Sequence, residues 1–279
     1  MLGNSEAKPH RLRSSRLAPG HLKIMPPLDT DPEKRRSVFR SERLPGCFNA
    51  PKADTSSKTG NGAASRMADG LGIPLQNRVD PFGNLIRTAA HGTMMGNRGG
   101  ALHNSDREVV RIYKSRRWIT CVLEFHGRHR IVMSPNRYTE LFFLDEAVAF
   151  AAGHRPCAEC RRVRYNAFRD AWQRAYRQDE PPFADEMDLE LHPARIDHQR
   201  KKVAYEAPLR LLPDGCFVQI VGSAWLVHGE SLLLWTPSGY ARRDRRPKNL
   251  NVVVLTPKPI VECFRQGYGP EIHETALIL

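Results

Sequence analysis

The segment Phe142–Arg162, FFLDEAVAFAAGHRPCAECRR, restricts the fold of this chain more than any other stretch. An apolar strand is predicted over Tyr138–Leu144. Asp145 stands where a side-chain oxygen caps a helix, predicted over Glu146–Ala152, and Gly153 ends that helix. Cys157 and Cys160 follow at a spacing that lets two thiolates converge on one metal ion across a tight turn. Pro156 stiffens the approach. A second helix, predicted from just after Cys160 to about Arg177, directs the positive end of its dipole at the sulfurs. Arg155, Arg161 and Arg162 add positive charge, which favours thiolate over thiol.

Two thiolates are half a site, because a structural zinc ion takes four N or S ligands. Cys121 is the expected third ligand, as it lies on a strand predicted before the motif. The competing reading is an inert core thiol beside Ile119, Leu123 and Phe125, which share its face at the strand period of two. For the fourth position His91, His103, His126, His129 and His154 compete, and His103 is the choice made here. A redox CxxC or two buried thiols are the alternatives for the pair itself, and no βαβ pattern supports the redox reading. Cys216 and Cys263 have no partner in sequence and read as core thiols.

The run Ala-Ala-Gly-His-Arg-Pro-Cys-x-x-Cys, preceded by a strand and an acidic helix cap, resembles the second half of the Ada-type zinc domain of methylphosphotriester DNA repair. The likeness covers roughly residues 138–162. It implies zinc bound by Cys157 and Cys160 and a DNA-related role. In that family the other two ligands form an upstream Cys-x-x-x-Cys pair, one member being the methyl acceptor. Here only Cys47 and Cys121 precede the motif, so the chain departs from the family at the reactive position. From about residue 80 onward it is also similar to bacterial proteins carrying the same motif.

The expected class is α+β, with a small zinc-stabilised hairpin-and-helix domain over 79–180 and a β-meander-rich part over 181–279. Residues 1–78 are read as a mostly disordered basic extension. Positions 1–66 contain 19 apolar residues, about 29%, and no Trp or Tyr, too little burial to offset ordering entropy. Met67 offers an alternative start. The Gly-rich stretch 91–103 has neither a GxGxxG fingerprint nor a Walker ending, so it reads as turns packed close to other backbone. Strands are expected over Val109–Tyr113 and Trp118–Phe125, the latter turning at His126-Gly127 into His129–Met133. Tyr165, Phe168, Trp172 and Tyr176 form an aromatic stripe at helical spacing. A linker is expected at Asp179–Pro182. Three meander strands follow at Cys216–Val221, Ala224–His228 and Ser231–Thr236. A basic loop is expected at Arg242–Lys248, a strand at Asn251–Leu255 and a short helix at Pro257–Arg265.

The formal charge of +13 across 279 residues favours an acidic partner. Its location narrows the argument. Residues 1–66 carry 13 basic against 6 acidic side chains, and residues 155–177 carry seven arginines against Glu159 and Asp170. Arg155, Arg161, Arg162, Arg164 and Arg169 are therefore the expected nucleic-acid contacts, with DNA favoured, because arginine forks suit phosphate. The other reading of this helix is a solvated face. No apolar run approaches the roughly 18 residues of a membrane span, and no secretory signal is visible, so a cytoplasmic location with reduced thiols is expected. The alternatives are an alkyl acceptor using Cys121, a metal-dependent nuclease using His192, Asp197 and His198 with Arg200, Lys201 and Lys202 on phosphate (a segment that reads otherwise as surface polar residues), or a partner-binding protein without catalysis. Asp185, Glu186, Asp188 and Glu190 read as a solvated acidic patch. The aromatics around Trp235–Tyr240 read as meander packing more readily than as a stacking surface for bases.

Overall fold

The computed structural model describes residues 72–127 and 131–279. The extension read over residues 1–78 lies almost wholly outside the described residues, as does the candidate ligand His129. What is described is α+β: four helices and two six-stranded sheets.

The first sheet is built from very short strands, β1 (Arg78–Val79), β2 (Leu85–Ile86), β3 (Met94–Asn97), β4 (Ile119–Cys121), β5 (Leu141–Phe143) and β6 (Arg155–Pro156). Their order is β2-β1-β5-β3-β4-β6. Among the described residues of the hairpin expected from 109 to 133, only Ile119–Cys121 is strand. β4 pairs antiparallel with β3, Met95 opposite Cys121, and parallel with β6, Ile119 opposite Arg155. Val109 makes only an isolated bridge to His103. Part of the Gly-rich stretch is thus a central strand. Glycine is needed there because a Cβ on Gly96 would stand 2.4 Å from the Ile119 carbonyl oxygen. Pro156 is tolerated in β6 because that strand is at the sheet edge, where a missing N–H breaks no ladder.

Helix α1 (Glu146–Ala151) lies as predicted, with the Asp145 carboxylate accepting from Val148 N at 2.8 Å and Gly153 at φ 88° after it. All six of its residues are buried. This matches its composition, since a helix without a polar stripe has to be covered on every side. Ala147, Val148 and Ala151 pack with Phe143 and Leu144 of the first sheet and with Phe217, Leu226 and Leu233 of the second.

Helix α2 (Arg162–Tyr176) buries Tyr165, Phe168 and Trp172, while Tyr176, the last of the aromatic stripe, is 43% exposed. Its end at Arg177 is left-handed, φ 51°. The Pro-rich break then leads into helix α3 (Ala184–Arg195), which the acidic composition had hidden. Glu186 accepts from the Phe183 N–H at 2.7 Å to start it, and Met187 and Leu191, one turn apart, bury its inner side.

The second sheet is wholly antiparallel: β7 (Tyr205–Pro208), β8 (Phe217–Ile220), β9 (Ser223–His228), β10 (Ser231–Thr236), β11 (Gly239–Arg245) and β12 (Asn251–Val254), in the order β11-β10-β9-β8-β12-β7. The meander is as expected. Arg242–Arg245, read as loop, extends it as the edge strand β11. Helix α4 (Lys258–Arg265) closes the fold. One core cluster joins Phe150, Phe168 and Trp172 to Met187, Val218, Val227 and Phe264, so packing is continuous across residue 180.

Phe168 is fully buried, with its ring against Phe150, Trp172 and Tyr268. Phe168→Ala should lower unfolding stability by about 3–5 kcal/mol in urea titration. Val163→Ala, on the 81% exposed face of the same helix, should change it by less than about 0.5 kcal/mol.

Candidate metal centre

Three sulfurs meet where β4, β6 and the start of α2 come together. The parallel register that sets Thr120 opposite Pro156 brings the next residues, Cys121 and Cys157, side by side, and Cys157 N donates to the Thr120 carbonyl at 2.9 Å. The chain then turns through Ala158 and Glu159. Glu159 N donates to the Cys157 sulfur at 3.4 Å and Arg161 N donates to the Cys157 carbonyl at 3.2 Å. This folds Cys160 back over the same spot.

The Sγ atoms of Cys121, Cys157 and Cys160 all lie within 4.8 Å of one another. Tetrahedral zinc with bonds of about 2.3 Å holds two sulfurs about 3.8 Å apart. The group therefore needs only a small contraction to hold an ion. Among the described residues it is the one group of three or more His, Cys, Asp or Glu side chains so arranged. Cys121 is fully buried, Cys157 nearly so and Cys160 partly exposed, while Met95, Ile119, Phe125 and Phe142 pack around them. A donor set of three thiols in an apolar shell suits a soft or borderline metal ion, and Ca²⁺ or Mg²⁺ poorly.

The fourth-ligand choice, His103, needs correction. Its Nδ1 is 2.6 Å from Thr139 Oγ1 and its Nε2 is 3.2 Å from the Ser134 carbonyl, so both ring nitrogens are engaged away from the sulfurs. His154 is buried with its ring against Trp118 and Phe143, accepting from Arg98 Nε at 3.3 Å. Burial, with Arg98 and Arg195 nearby, holds its pKa well below the ordinary value. His91 and His126 are exposed and neither joins the cysteine group.

The arginines need a larger correction. Arg155 is 2% exposed and donates from Nε and Nη2 to the two Asp188 carboxylate oxygens at 3.1 and 2.6 Å. Asp188, read as part of a solvated acidic patch, is itself buried. Arg161 is 5% exposed and bridges Glu146 and Glu271, both at 2.7 Å. Arg164 bonds Glu146 at 2.6 Å and lies over the Tyr268 ring. Arg169 donates to the carbonyls of Pro181 and Pro182. Four of the five side chains expected to meet phosphate are thus held by the protein itself, and Arg162 alone is exposed. Neither Asp188 nor Glu146, the acids that decide this, was singled out as functional, because both act on arginines distant in sequence.

The nuclease candidates do not converge. The His192 ring packs edge-on against Tyr113, and burial together with Arg195 and Arg116 lowers its pKa to about 4. Asp197 accepts from Lys201 N, and His198 is exposed. Trp225 is buried with the Arg242 guanidinium over its ring, in keeping with packing rather than base stacking. Cys216 and Cys263 are core thiols, and burial pushes the pKa of each upward.

Comparison of the chain with models of known families, with curated proteins and with solved structures gave no match.

Removing one partner of a buried ion pair leaves an uncompensated charge. Asp188→Ala should therefore cost about 3–5 kcal/mol of stability, whereas Arg155→Met combined with Asp188→Leu should restore much of it. Guanidinium unfolding of both variants checks this; equal stability of Asp188→Ala and the parent chain would contradict the pair's place in the fold.

Proposed function

We propose that this chain is a zinc-containing nucleic-acid-binding protein in which the zinc has a structural role. The observation that carries the reading is the convergence of Cys121, Cys157 and Cys160. Three thiolates in a reduced compartment select zinc over hard cations. The ion would tie a central strand to an edge strand of only two residues and to the first turn of α2. Complete burial of Cys121 favours a structural ligand over a methyl acceptor, which has to meet its substrate. The likeness of residues 138–162 to the Ada-type zinc domain supports DNA as the partner. With the α2 arginines largely committed inside the protein, contact with phosphate would fall to cations that remain exposed, among them Arg162, Arg111, Arg200 and Lys201.

Purified protein should contain about one zinc per chain by elemental analysis, and Cys157→Ser and Cys121→Ser should each lose it. Full zinc retention in both variants would overturn the site. Strong chelation should lower the unfolding temperature, since metal-binding energy at such a site is folding energy. For the partner, DNA affinity should fall about a hundredfold between roughly 50 and 200 mM salt if about four phosphates are neutralised. No measurable binding at the lower salt would end the nucleic-acid half of the reading and leave the zinc half standing.

A further inference from the structure

A cavity of about 640 Å³ opens beside the first sheet, away from the cysteines along β4, and six basic side chains line it: Arg98, Arg111, Arg195, Arg200, Lys201 and Lys202. No Asp or Glu is among its lining residues. The distribution of charge is unusual in depth as well as sign. Arg98 and Arg195 are 1% and 2% exposed, so two full positive charges are buried at its base. Neither they nor Lys202 form an ion pair among the described residues.

Their present partners are neutral. Arg98 donates to His154 Nε2 and to the carbonyls of Ile112 and Gly83 at 3.3, 3.3 and 3.0 Å. Arg195 donates to the carbonyls of Gly153 and Arg116, and its buried Nε–H has no acceptor. Lys202 donates to the Ala151 carbonyl at 2.5 Å. Both guanidinium groups stack on Trp118, 4.1 and 4.4 Å from the ring centroid. The carboxylates whose charge reaches them are committed elsewhere: Asp80, which acts on Arg98 and Lys202, accepts twice from Asn84, and Asp188, which acts on Arg195, is paired with Arg155. This contrasts with Arg155 and Arg161, each of which meets a carboxylate in its own surroundings. Burial lowers Arg98 and Arg195 to about 9, only partly opposed by Asp80 and Asp188 respectively, and Lys202 is lowered in the same direction by burial and by Arg98.

Burying cations without a counter-charge costs several kcal/mol per ion. An anion entering the cavity would therefore be met by preplaced charge that carbonyl dipoles only partly satisfy. Phosphate fits better than a single carboxylate, because it brings up to two charges and three acceptor oxygens to two guanidinium forks and an ammonium. The remaining wall is mostly apolar, with Phe82, Leu85, Val110 and Ile112 beside Trp118 and the amides of Gln76 and Asn84 as its polar members. The volume lies in the range of pockets that enclose a whole small molecule.

We propose that this cavity is a binding site for a phosphate monoester whose uncharged part is a flat or apolar group, the phosphate lying against Arg98, Arg195 and Lys202. The site is independent of the cysteine centre. Such a phosphate can come from a free metabolite or from the phosphorylated end of a nucleic-acid strand, and the chemistry of recognition is the same.

Calorimetric titration of the zinc-loaded full chain tests this with inorganic phosphate, a nucleoside 5′-monophosphate, the matching nucleoside, and one oligonucleotide with and without a 5′-phosphate. Binding of the monophosphate but not the nucleoside assigns a free metabolite. Binding of the oligonucleotide that tightens about tenfold or more on 5′-phosphorylation, with no binding of the monophosphate, assigns a strand end. Either result supports the site. Lys202→Met, and separately the double variant Arg200→Ala with Lys201→Ala on the exposed mouth, should weaken binding about tenfold or more while keeping the parent zinc content. The mouth variant changes exposed side chains, so it keeps the test open if Lys202→Met misfolds. Absence of binding by inorganic phosphate and the monophosphate, together with no gain from 5′-phosphorylation of the oligonucleotide, overturns the proposal, as does equal affinity for nucleoside and monophosphate or unchanged affinity in both variants. None of these outcomes bears on zinc retention, so failure here is distinct from failure of the metal centre.

Discussion

The parallel pairing of β4 with β6 is the constraint on which the rest of this structure depends. A single backbone bond, from Cys157 N to the Thr120 carbonyl, marks the point where Cys121 and Cys157 become neighbours. β6 is two residues long, lies at an edge and contains a proline, so its own ladder contributes little. It is held by what flanks it. Ahead of it α1 is buried between the two sheets, and behind it α2 packs its aromatic side into the shared core. Arg155 of β6 is clamped to Asp188 of α3. A metal ion on the three sulfurs would join this strand to the sheet through bonds much stronger than those of a two-residue ladder.

Charge in this protein divides into cations that have met acids and cations that have not. Glu146, fully buried at the start of α1, accepts from Arg161, Arg164, Tyr268 and the Glu271 N–H. It thereby fastens α2 and the C-terminal segment to the central helix. Two guanidinium groups, a hydroxyl and an amide thus surround the carboxylate, the pairing that a buried acid requires. Arg98 and Arg195 lack such a partner. The physical difference between the two groups is the presence of an acid within reach, and it separates an architectural role from one directed at a ligand.

Local signals carried far in this sequence. Asp145 and Gly153 marked both ends of α1, the three-and-four spacing of Tyr165, Phe168 and Trp172 marked α2, and the turns at Gly222 and Gly229 marked the meander. Cys121 was legible as a third sulfur because it falls just before the motif on an apolar strand. What stayed hidden is non-local. The partner of β4 is Met94–Asn97, a stretch whose glycines read as turns, and its strands are too short to show alternation. The acids that neutralise Arg155 and Arg161 lie 33 and up to 110 residues away, so counting charge along one helix overstated what that helix offers to solvent. The same count missed Arg98 and Arg195, which are far apart in sequence and are brought together with Lys202 only by the fold.

The central claim is that Cys121, Cys157 and Cys160 share one zinc ion. X-ray absorption at the zinc edge, on protein purified without added metal, addresses it most directly. The account predicts a shell of about three sulfur scatterers at about 2.3 Å. Zinc surrounded only by nitrogen and oxygen at about 2.0–2.1 Å, or a preparation that is fully folded and holds no metal, would contradict it.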